Sequence, residues 1–512
     1  MTAASDGSST PNVNNLRQRT LVGLGWTGAA RLLGQILQLG TTVVLARLLS
    51  PKEYGLLGMV LVFSGFANYV ADMGLGASII QKTTLSDRHL NSVFWLNAAT
   101  GLVLTVIFVL AAPLVASFYG EPQLYLLTVA IAPNFVLGSL NVVQNALLDK
   151  ALNFRIKFWI EIVAAFTSGL VALVLALRGW GVWSLVGQSL ALTTVRVLMM
   201  WIQSTWRPAM AFDFSAIREL MRFSGHLTGF GAVFYWSQNV DKLMIGRWIG
   251  SSALGIYTLA DKLMRLSLAN INDVTSSVMF PALSSIQRDV EAVRRAYLRA
   301  TRMTSLIVFP MMIALGVLAE PAILVIYGSK WRESIVILQL LCVAGVSLST
   351  YSTAGWIFMS QGRTDILFRL GVYATVVRAI GVVIGAHWGL MGVAWAFVIG
   401  GYVFIWHPTW AAAGRLVNLS FTALLRNVAG PFVCAASMGA VLWLSDRWVF
   451  DSWVVGLRLA IQVVLGALVY AALVRWFRVQ AWVEIADILL EMGAKRSRLL
   501  RWVLDYQLQT DP

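Results

Sequence analysis

Long apolar segments alternate with short polar ones from residue 20 to residue 474 of the chain. A membrane-spanning helix needs about 20 predominantly apolar residues. The segments that meet this requirement are 20–46, 54–79, 91–118, 123–147, 158–177, 180–203, 223–246, 253–281, 303–327, 334–360, 368–387, 389–413, 428–445 and 452–474. The joints between them are short and contain turn residues, as in "YGEPQ" at 119–123. The pattern therefore predicts an all-α integral membrane protein of about 14 transmembrane helices.

Composition supports this class. Hydrophobic residues make up 58% of the chain, charged residues only 12%, and the mean hydropathy is +0.73. A soluble domain carries about 25% charged residues. The apolar stretch that follows the polar start of the chain is far longer than the core of a cleavable signal, which predicts a retained first span. Cys342 and Cys434 both lie inside apolar runs, which predicts buried core residues rather than a disulfide or metal site.

The basic residues predict an orientation. The net charge is +15, but the 39 Lys and Arg residues are scattered between apolar segments, which argues against nucleic-acid binding. With the N-terminus inside, most of them fall on the cytoplasmic side, including the run from Arg288 to Arg302. We therefore expect both termini to lie in the cytoplasm. The mixed apolar and basic stretch 480–505 predicts an amphipathic helix on anionic headgroups, with a solvated tail as the alternative.

The sequence contains an internal repeat with an offset of 200 residues. The identical pairs are Gly25 and Gly225, Gln38 and Gln238, Arg47 and Arg247, and Gly55 and Gly255. Each half places an Arg at the outer end of a span, then a short turn, then a Gly that opens the next span. The offset is six spans, an even number, so the repeats run in the same direction across the membrane. We therefore expect two pseudo-symmetric six-helix lobes around a central cavity, followed by two C-terminal helices and an amphipathic tail helix.

This interpretation divides the chain into six segments. They are a cytoplasmic tail at 1–19, the first lobe at 20–203, a cytoplasmic linker at 204–222, the second lobe at 223–413, two further helices within 428–474, and the cytoplasmic tail at 475–512.

Polar residues recur on matching faces of the repeated spans. Arg31, Gln35 and Gln38 share one face of the first span, and Tyr235, Gln238 and Lys242 are spaced similarly in the seventh. Charges inside a membrane normally face a bundle interior or a cavity. The predicted cavity residues are Arg31, Gln35, Gln38, Arg196, Tyr235, Gln238, Lys242, Lys262, Arg265 and Arg378. Two structural alternatives stay open: Asp261 and Arg265 suit an i,i+4 pair, and Arg458, near the outer end of its span, suits a side chain extending to the headgroups.

Catalytic motifs are missing from the sequence. No P-loop appears, which argues against ATP hydrolysis, and no HExxH motif or Cys/His cluster indicates a metal. We therefore expect no cofactor and no enzymatic activity. A membrane scaffold would not explain the repeated polar faces.

The stretch "ARLLSPKEYGLLGMVLVFSGFANYVADMGLGASIIQ" at 46–81 resembles the polysaccharide-transporter family. These are the Wzx-type oligosaccharide flippases, including the colanic-acid-exporter-like branch, of the multidrug/oligosaccharidyl-lipid/polysaccharide exporter superfamily. The stretch "IGRWIGSSALGIYTLADKL" at 245–263 is similar to the second-lobe counterpart. Ser251, Ser252 and Ala253 stand there where the first-lobe pattern has Pro51, Lys52 and Glu53, but the turn remains short.

The resemblance implies a fold like that of the multidrug exporters known as MATE proteins and an export function by alternating access. Its substrate would be an undecaprenyl-pyrophosphate-linked oligosaccharide, moved from the inner to the outer leaflet of the bacterial inner membrane. The resemblance thus implies that the chain is a multi-pass protein of that membrane. The expected partners are this lipid-linked oligosaccharide, membrane lipids, and the polysaccharide polymerase and chain-length machinery. The resemblance also implies coupling to H⁺ or Na⁺, for which the candidate acids are Asp72, Asp241, Asp261 and Asp273. A MATE-type multidrug or cation antiporter is the alternative, and it would favour a more acidic cavity. A membrane enzyme of glycan assembly, such as a polymerase or ligase, is the alternative from another class, but it would need a large exterior loop.

Overall fold

A computed structural model describes residues 13–72, 75–82, 85–450, 453–477 and 479–480. These residues form helices and connecting turns, without a strand. The helices are α1 (Val13–Leu48), α2 (Pro51–Asp72), α3 (Leu75–Gln81), α4 (Asp87–Tyr119), α5 (Gln123–Ile131), α6 (Pro133–Ser139), α7 (Val142–Lys150), α8 (Phe154–Leu177), α9 (Val182–Gln203), α10 (Phe214–Trp248), α11 (Ser251–Ser285), α12 (Val290–Val317), α13 (Ala319–Ile326), α14 (Ser334–Ser352), α15 (Ala354–Ser360), α16 (Thr364–Ala386), α17 (Gly389–Ile399), α18 (His407–Val417), α19 (Phe421–Trp448) and α20 (Val455–Trp476). A 3₁₀ turn at Ser329–Trp331 and a π-helix at Gly400–Trp406 complete the series.

Each predicted span coincides with one helix or with consecutive helices. Within the described residues, nine helical segments are long and apolar enough to cross a membrane. The bent pair Gln123–Ser139 and Val142–Lys150, which meets at 41°, would make a tenth. The described part of the chain is thus all-helical, and its apolar helices are those of a multi-pass membrane protein. The helices α1, α2, α10 and α11, which carry the repeated polar residues, fall outside those nine. The predicted tail helix lies outside the described residues, as do residues 1–12 of the N-terminal tail.

Contacts between Cα atoms divide the chain into two units, residues 1–255 and 256–512. In the first unit, α8 packs against α1 and α9, and α10 packs against α2 and α4. Small residues allow α1 to approach α8 closely. Ala172 is fully buried, and a Cβ atom added to Gly169 would lie 2.6 Å from the Thr41 hydroxyl oxygen. Leu45 and Leu49 of α1 fill the core beside Ala172.

In the second unit, α12 packs against α14 and α19, α16 against α17, and α19 against α20. Leu306, Cys434 and Val474 form a buried cluster that joins α12, α19 and α20. Both cysteines are buried, as predicted: Cys342 is 2% exposed and Cys434 is 1% exposed. The helices α19 and α20, which match the predicted spans 428–445 and 452–474, therefore belong to the same apolar core as α12.

The predicted span 389–413 is interrupted by the π-helix Gly400–Trp406. Pro408, at the start of α18, has no N–H to donate to the carbonyl of Phe404. The Tyr373 hydroxyl donates to that carbonyl instead, at 3.1 Å. The hydroxyl of Tyr402 donates to the Val343 carbonyl at 3.0 Å. The first bond satisfies a backbone carbonyl of the π-helix, and the second ties the π-helix to α14. Together they stabilise a backbone that departs from the α-helix in the middle of an apolar segment.

The turn between α1 and α2 is closed by its own side chains. The backbone N–H and the hydroxyl of Ser50 donate to the Glu53 carboxylate at 2.6 and 2.8 Å, and the Glu53 N–H donates to the Ser50 hydroxyl at 3.4 Å. This is a capping box, in which Ser and Glu satisfy the first free N–H groups of a helix. It fixes the start of α2 at the first copy of the repeated turn.

The two copies of the repeated turn contact each other within the first unit. A Cβ atom on Gly55 would overlap the carbonyl oxygen of Ser251, and one on Gly255 would overlap the carbonyl oxygen of Pro51. Adding 200 to Pro51 and Gly55 gives Ser251 and Gly255, so the contact is reciprocal. Such reciprocity is the signature of a two-fold relation between equivalent patches. The glycines are required because only a residue without a side chain permits backbone to approach backbone so closely.

Candidate functional site

In the first unit, the candidate residues begin on α1. Gln35 is half-buried and Gln38 is exposed. Thr42, one turn further, is buried, and its hydroxyl donates to the Gln38 carbonyl at 2.7 Å. Arg31 lies on the same helix, but its side chain is outside the described part of the structure. The described end of this face therefore carries amide groups suited to hydrogen bonding with a polar ligand.

Tyr235 of α10 is held against α2. Its hydroxyl donates to the Val62 carbonyl at 2.7 Å, and it lies 3.3 Å from the Leu61 carbonyl oxygen. Gly65 leaves the space, since a Cβ atom there would overlap the Tyr235 hydroxyl. The Tyr235 ring also packs 5.9 Å from the Phe66 ring, measured between centroids. In this conformation Tyr235 acts as a contact between helices.

The next turns of α10 contain Gln238, Asp241 and Lys242. Gln238 and Lys242 are half-buried, whereas Asp241 is only 2% exposed. Charged groups are rarely buried to this extent without a role in folding or binding. Adjacent helical residues point about 100° apart, so Asp241 and Lys242 face different neighbours.

Arg196 of α9 is paired with Glu161 of α8. The guanidinium donates to the carboxylate at 2.7 Å, and about one third of each side chain is exposed. This pair ties two neighbouring helices of the first unit together. Any contact of Arg196 with substrate would have to compete with that ion pair.

In the second unit, α11 presents a buried carboxylate and a guanidinium on one face. The Asp261 side chain is 2% exposed and accepts a hydrogen bond at 2.7 Å from Nε of Arg265, whose side chain is 32% exposed. Their i,i+4 spacing brings them together on the helix, so the pair suggested by the sequence is formed. Lys262, beside Asp261, is half-buried.

Arg378 of α16 faces the same cavity as the Asp261–Arg265 pair. Its guanidinium donates to the Tyr351 hydroxyl of α14 at 2.5 Å. The cavity is lined by Asp261, Arg265, Tyr351 and Arg378 among others, and Gly400 and Gly401 of the π-helix form part of its wall. We call this the second-unit cavity. It combines one carboxylate with two guanidinium groups, an arrangement that favours an anionic ligand.

The second-unit cavity is small in this conformation. Its volume of about 30 Å³ holds about two water molecules. The π-helix in its wall is a distortion often found at functional sites, because it releases backbone groups from their regular pairing. No group of three or more His, Cys, Asp or Glu residues in the described chain is placed to hold a metal ion.

The structure thus brings together three of the predicted residues, Asp261, Arg265 and Arg378, in one cavity. The side chains of Asp72 and Asp273 lie outside the described part of the structure, although their backbones belong to α2 and α11. Sequence reasoning missed Tyr351. The run of Ser and Thr residues around it, "SLSTYST" at 347–353, is unusually polar for a predicted span and was the available signal.

The interpretation of Arg458 as a side chain extending to the headgroups is wrong. Arg458 donates two hydrogen bonds to the Asp446 carboxylate, at 2.6 and 2.5 Å, and its side chain is only 12% exposed. Gln462 donates to the same carboxylate at 2.6 Å. Asp446 lies at the end of the preceding helix, where the hydropathy pattern gave no indication of pairing. This bidentate pair links α19 to α20.

Comparison with known sequences gives a consistent group of relatives. A protein-family profile described as "Polysaccharide biosynthesis protein" matches residues 44–336. The chain is 27% identical over 484 residues to the teichuronic acid biosynthesis protein TuaB of Bacillus subtilis (strain 168), covering 94% of this chain and 99% of TuaB. It is 26% identical over 472 residues to the succinoglycan biosynthesis transport protein ExoT of Rhizobium meliloti (strain 1021), covering 91% of this chain and 94% of ExoT.

Among solved structures, the inward closed conformation of the lipid II flippase MurJ has a similar fold. The TM-score is 0.72, and the alignment covers 88% of this chain and 98% of MurJ. Sequence identity is 17%, so the likeness shows a shared fold. The helical architecture predicted from the sequence is thereby confirmed at the level of fold.

Proposed function

Because the chain belongs to the polysaccharide biosynthesis protein family, whose profile covers residues 44–336, we propose that it exports a lipid-linked oligosaccharide across the bacterial inner membrane for surface polysaccharide synthesis. The observation that carries this proposal is the similarity along nearly the whole chain to ExoT, which is named as a transport protein. The nine apolar helical segments of the described residues support it, since each is long enough to cross a membrane.

The cationic side chains supply the chemistry that such a substrate needs. A pyrophosphate linkage carries negative charge, and guanidinium groups bind phosphate oxygens through paired N–H donors. Arg265 and Arg378 share the second-unit cavity. Lys242 of the first unit adds a further cation on a polar helix face. Glutamine side chains such as Gln35 would hydrogen-bond sugar hydroxyls, while the polyprenyl chain stays in lipid.

Asp261 is the preferred site for coupling to an ion gradient. Its carboxylate holds Arg265 at 2.7 Å, so the two charges neutralise each other. Protonation of Asp261, or its capture of Na⁺, would remove that partner and leave Arg265 available to an anionic substrate. The proton would be carried on Asp261 during one half of the transport cycle. Asp72, Asp241 and Asp273 remain candidates for the same role.

The proposal includes the arrangement expected from the sequence. Two six-helix lobes would alternate access to the two leaflets, and both termini would lie in the cytoplasm, where the basic residues concentrate. A polysaccharide polymerase and chain-length machinery would receive the product. An antiporter for cationic drugs is disfavoured, because two guanidinium groups and a single carboxylate line the second-unit cavity. A polymerase or ligase activity is disfavoured because ExoT, which is similar along nearly the whole chain, is named as a transport protein.

A deletion strain tests the proposal. Loss of the protein should cause lipid-linked oligosaccharide to accumulate in the inner leaflet, and the full chain should restore export. Arg265→Gln with Arg378→Gln should fail to restore export at wild-type protein levels, whereas Arg415→Gln, an exposed arginine at the end of α18, should restore it. If deletion causes no accumulation, the transport proposal is wrong. If the double variant exports normally, the second-unit cavity is not part of the pathway.

A further inference from the structure

A second and larger crevice lies in the second unit, away from the cavity described above. It is formed by α12, α19 and the residues that follow α20, and its volume is about 380 Å³. Pockets for small ligands start at about 300 Å³. We call it the Arg302 crevice. None of the residues predicted to bind substrate lines it.

One end of the Arg302 crevice is cationic. Arg302 of α12 and Arg426 and Asn427 of α19 line this end. Nε of Arg302 donates to the Asn427 side-chain oxygen at 2.9 Å, and the Asn427 amide in turn donates to the Leu298 carbonyl at 2.9 Å. Asn427 thus fixes the orientation of the Arg302 guanidinium. Arg426 is exposed at the mouth of the crevice.

The other end of the Arg302 crevice is apolar. It is lined by Val433 and Cys434 of α19 and by Phe477 and Val479 beyond α20. Residues 426 and 433 are seven apart on one helix, so the cationic and apolar ends lie about 10 Å apart. Val433 is 53% exposed and Phe477 is 58% exposed. The apolar end is therefore continuous with the outer surface of the helices, which faces lipid in a membrane protein.

The backbone of α19 forms one wall of this crevice. Pro431 interrupts the hydrogen-bond ladder of α19, since it has no N–H to donate to the Asn427 carbonyl. Gly430 beside it lies next to the chain that follows α20: a Cβ atom at Gly430 would lie 3.5 Å from Val479, an ordinary van der Waals distance. The Gly-Pro pair of α19 thus forms part of the wall of the crevice.

Charge and position together identify the occupant. The crevice lies toward the start of α12 and α19 and the end of α20, where the sequence concentrates Arg residues, and no Asp or Glu is among its lining side chains in the described chain. A cationic pocket between helices at the positively charged face of a membrane suits the phosphate of an anionic lipid. The apolar end suits the start of an acyl chain. A crevice of 380 Å³ has room for a phosphate headgroup but not for an oligosaccharide.

We propose that the Arg302 crevice binds one anionic phospholipid of the cytoplasmic leaflet, with its phosphate on Arg302 and Arg426 and an acyl chain along Val433 and Phe477. No residue that lines the second-unit cavity lines this crevice. Its occupation would tie α12, α19 and α20 together through a lipid. The proposal does not depend on the identity of the exported substrate.

Binding to the purified full-length chain in neutral detergent tests this proposal. Intact-protein mass spectrometry would follow added phosphatidylglycerol, phosphatidylethanolamine and inorganic phosphate. Phosphatidylglycerol should bind at least about fivefold more tightly than phosphatidylethanolamine, as one arginine near a membrane surface contributes about that factor. Arg426→Gln should weaken phosphatidylglycerol binding about fivefold. The matched control Arg415→Gln, also exposed on a neighbouring helix, should leave binding unchanged.

A second variant tests the apolar end without touching a charge. Val433→Trp should fill the crevice and weaken phosphatidylglycerol binding, while a melting temperature equal to that of the wild type shows that the fold is intact. Equal affinity for the two phospholipids, or unchanged binding in both variants, would overturn the proposal. Full displacement of phosphatidylglycerol by inorganic phosphate would show a simple anion site and would also overturn the proposal. Stronger competition by a polyprenyl-pyrophosphate would assign the crevice to the substrate and would equally refute a phospholipid site.

Discussion

Alanine at Gly55 should destabilise the first unit because the added methyl group meets backbone. A Cβ atom there would overlap the Ser251 carbonyl oxygen and lie only 3.0 Å from the Ser251 Cα atom. A flexible side chain could move aside, but the backbone of α11 cannot rotate away. Overpacking of this kind costs about 1–3 kcal/mol. Because the clash here is with backbone atoms, we expect a cost at the upper end, about 3 kcal/mol.

Part of this cost is offset by helix propensity. Replacing Gly by Ala inside a helix gains about 1 kcal/mol, because alanine loses less conformational freedom. The expected net loss for Gly55→Ala is therefore about 2 kcal/mol, or roughly a 30-fold change in the ratio of folded to unfolded protein. Gly255→Ala should cost a similar amount, since its Cβ atom would meet the Pro51 carbonyl in the reciprocal contact.

The two substitutions should be strongly coupled. Once one methyl group has separated the turns, the second has less to displace, so the double variant should cost at least about 1 kcal/mol less than the sum of the single changes. Denaturant unfolding in mild detergent, followed by tryptophan fluorescence, measures all three variants. Gly40→Ala is the matched control in α1. A Cβ atom there meets nothing within 4 Å, so the variant should be neutral or slightly stabilised. A Gly55→Ala protein within about 0.5 kcal/mol of the wild type would refute the reasoning.

Three further changes test side-chain contacts in the same unfolding assay. Tyr351→Phe removes the acceptor of the Arg378 hydrogen bond and should cost about 1.5 kcal/mol, as expected for a bond to a charged group; no change would mean that the bond does not stabilise the fold. Arg458→Leu leaves the Asp446 carboxylate without its bidentate partner and should cost about 3 kcal/mol, most of which should return when Asp446→Leu is added. Glu161→Gln breaks a pair that is one-third exposed and should cost less than about 1 kcal/mol; a larger loss would show that the pair is a main contact between α8 and α9.

The positions of the helices follow from the sequence because apolar runs of sufficient length leave no other stable structure in a membrane. Hydropathy does not register bends. The predicted span 123–147 contains three helices, α5, α6 and α7: Pro133 starts α6, and the chain bends by 41° between α6 and α7. The π-helix Gly400–Trp406 was equally absent from the sequence prediction, since its stability depends on hydroxyl groups of Tyr373 and Tyr402, one of them on a neighbouring helix.

The candidate site was predictable where its chemistry follows helix periodicity. Asp261 and Arg265 are four residues apart, so their pairing follows from the helix alone. Arg378 and Tyr351 are 27 residues apart and lie on different helices, so helix periodicity does not predict their hydrogen bond. The same holds for Asp446 and Arg458. The position of Arg458 near a span end suggested that its side chain extends to the headgroups, but it forms an ion pair with Asp446 of α19.

The reciprocal contact of residues 51–55 with residues 251–255 imposes an order on biosynthesis. Tyr235 of α10 can contact the Leu61 and Val62 carbonyls of α2 only after α10 has left the ribosome. Likewise, Gly55 can pack against the Ser251 carbonyl only after the first turn of α11 has left it. At about 5–20 residues per second, α2 waits roughly 10–40 s for that partner. The six predicted spans that end at residue 203 are thus an incomplete insertion intermediate, and translation past residue 255 is what completes the first unit.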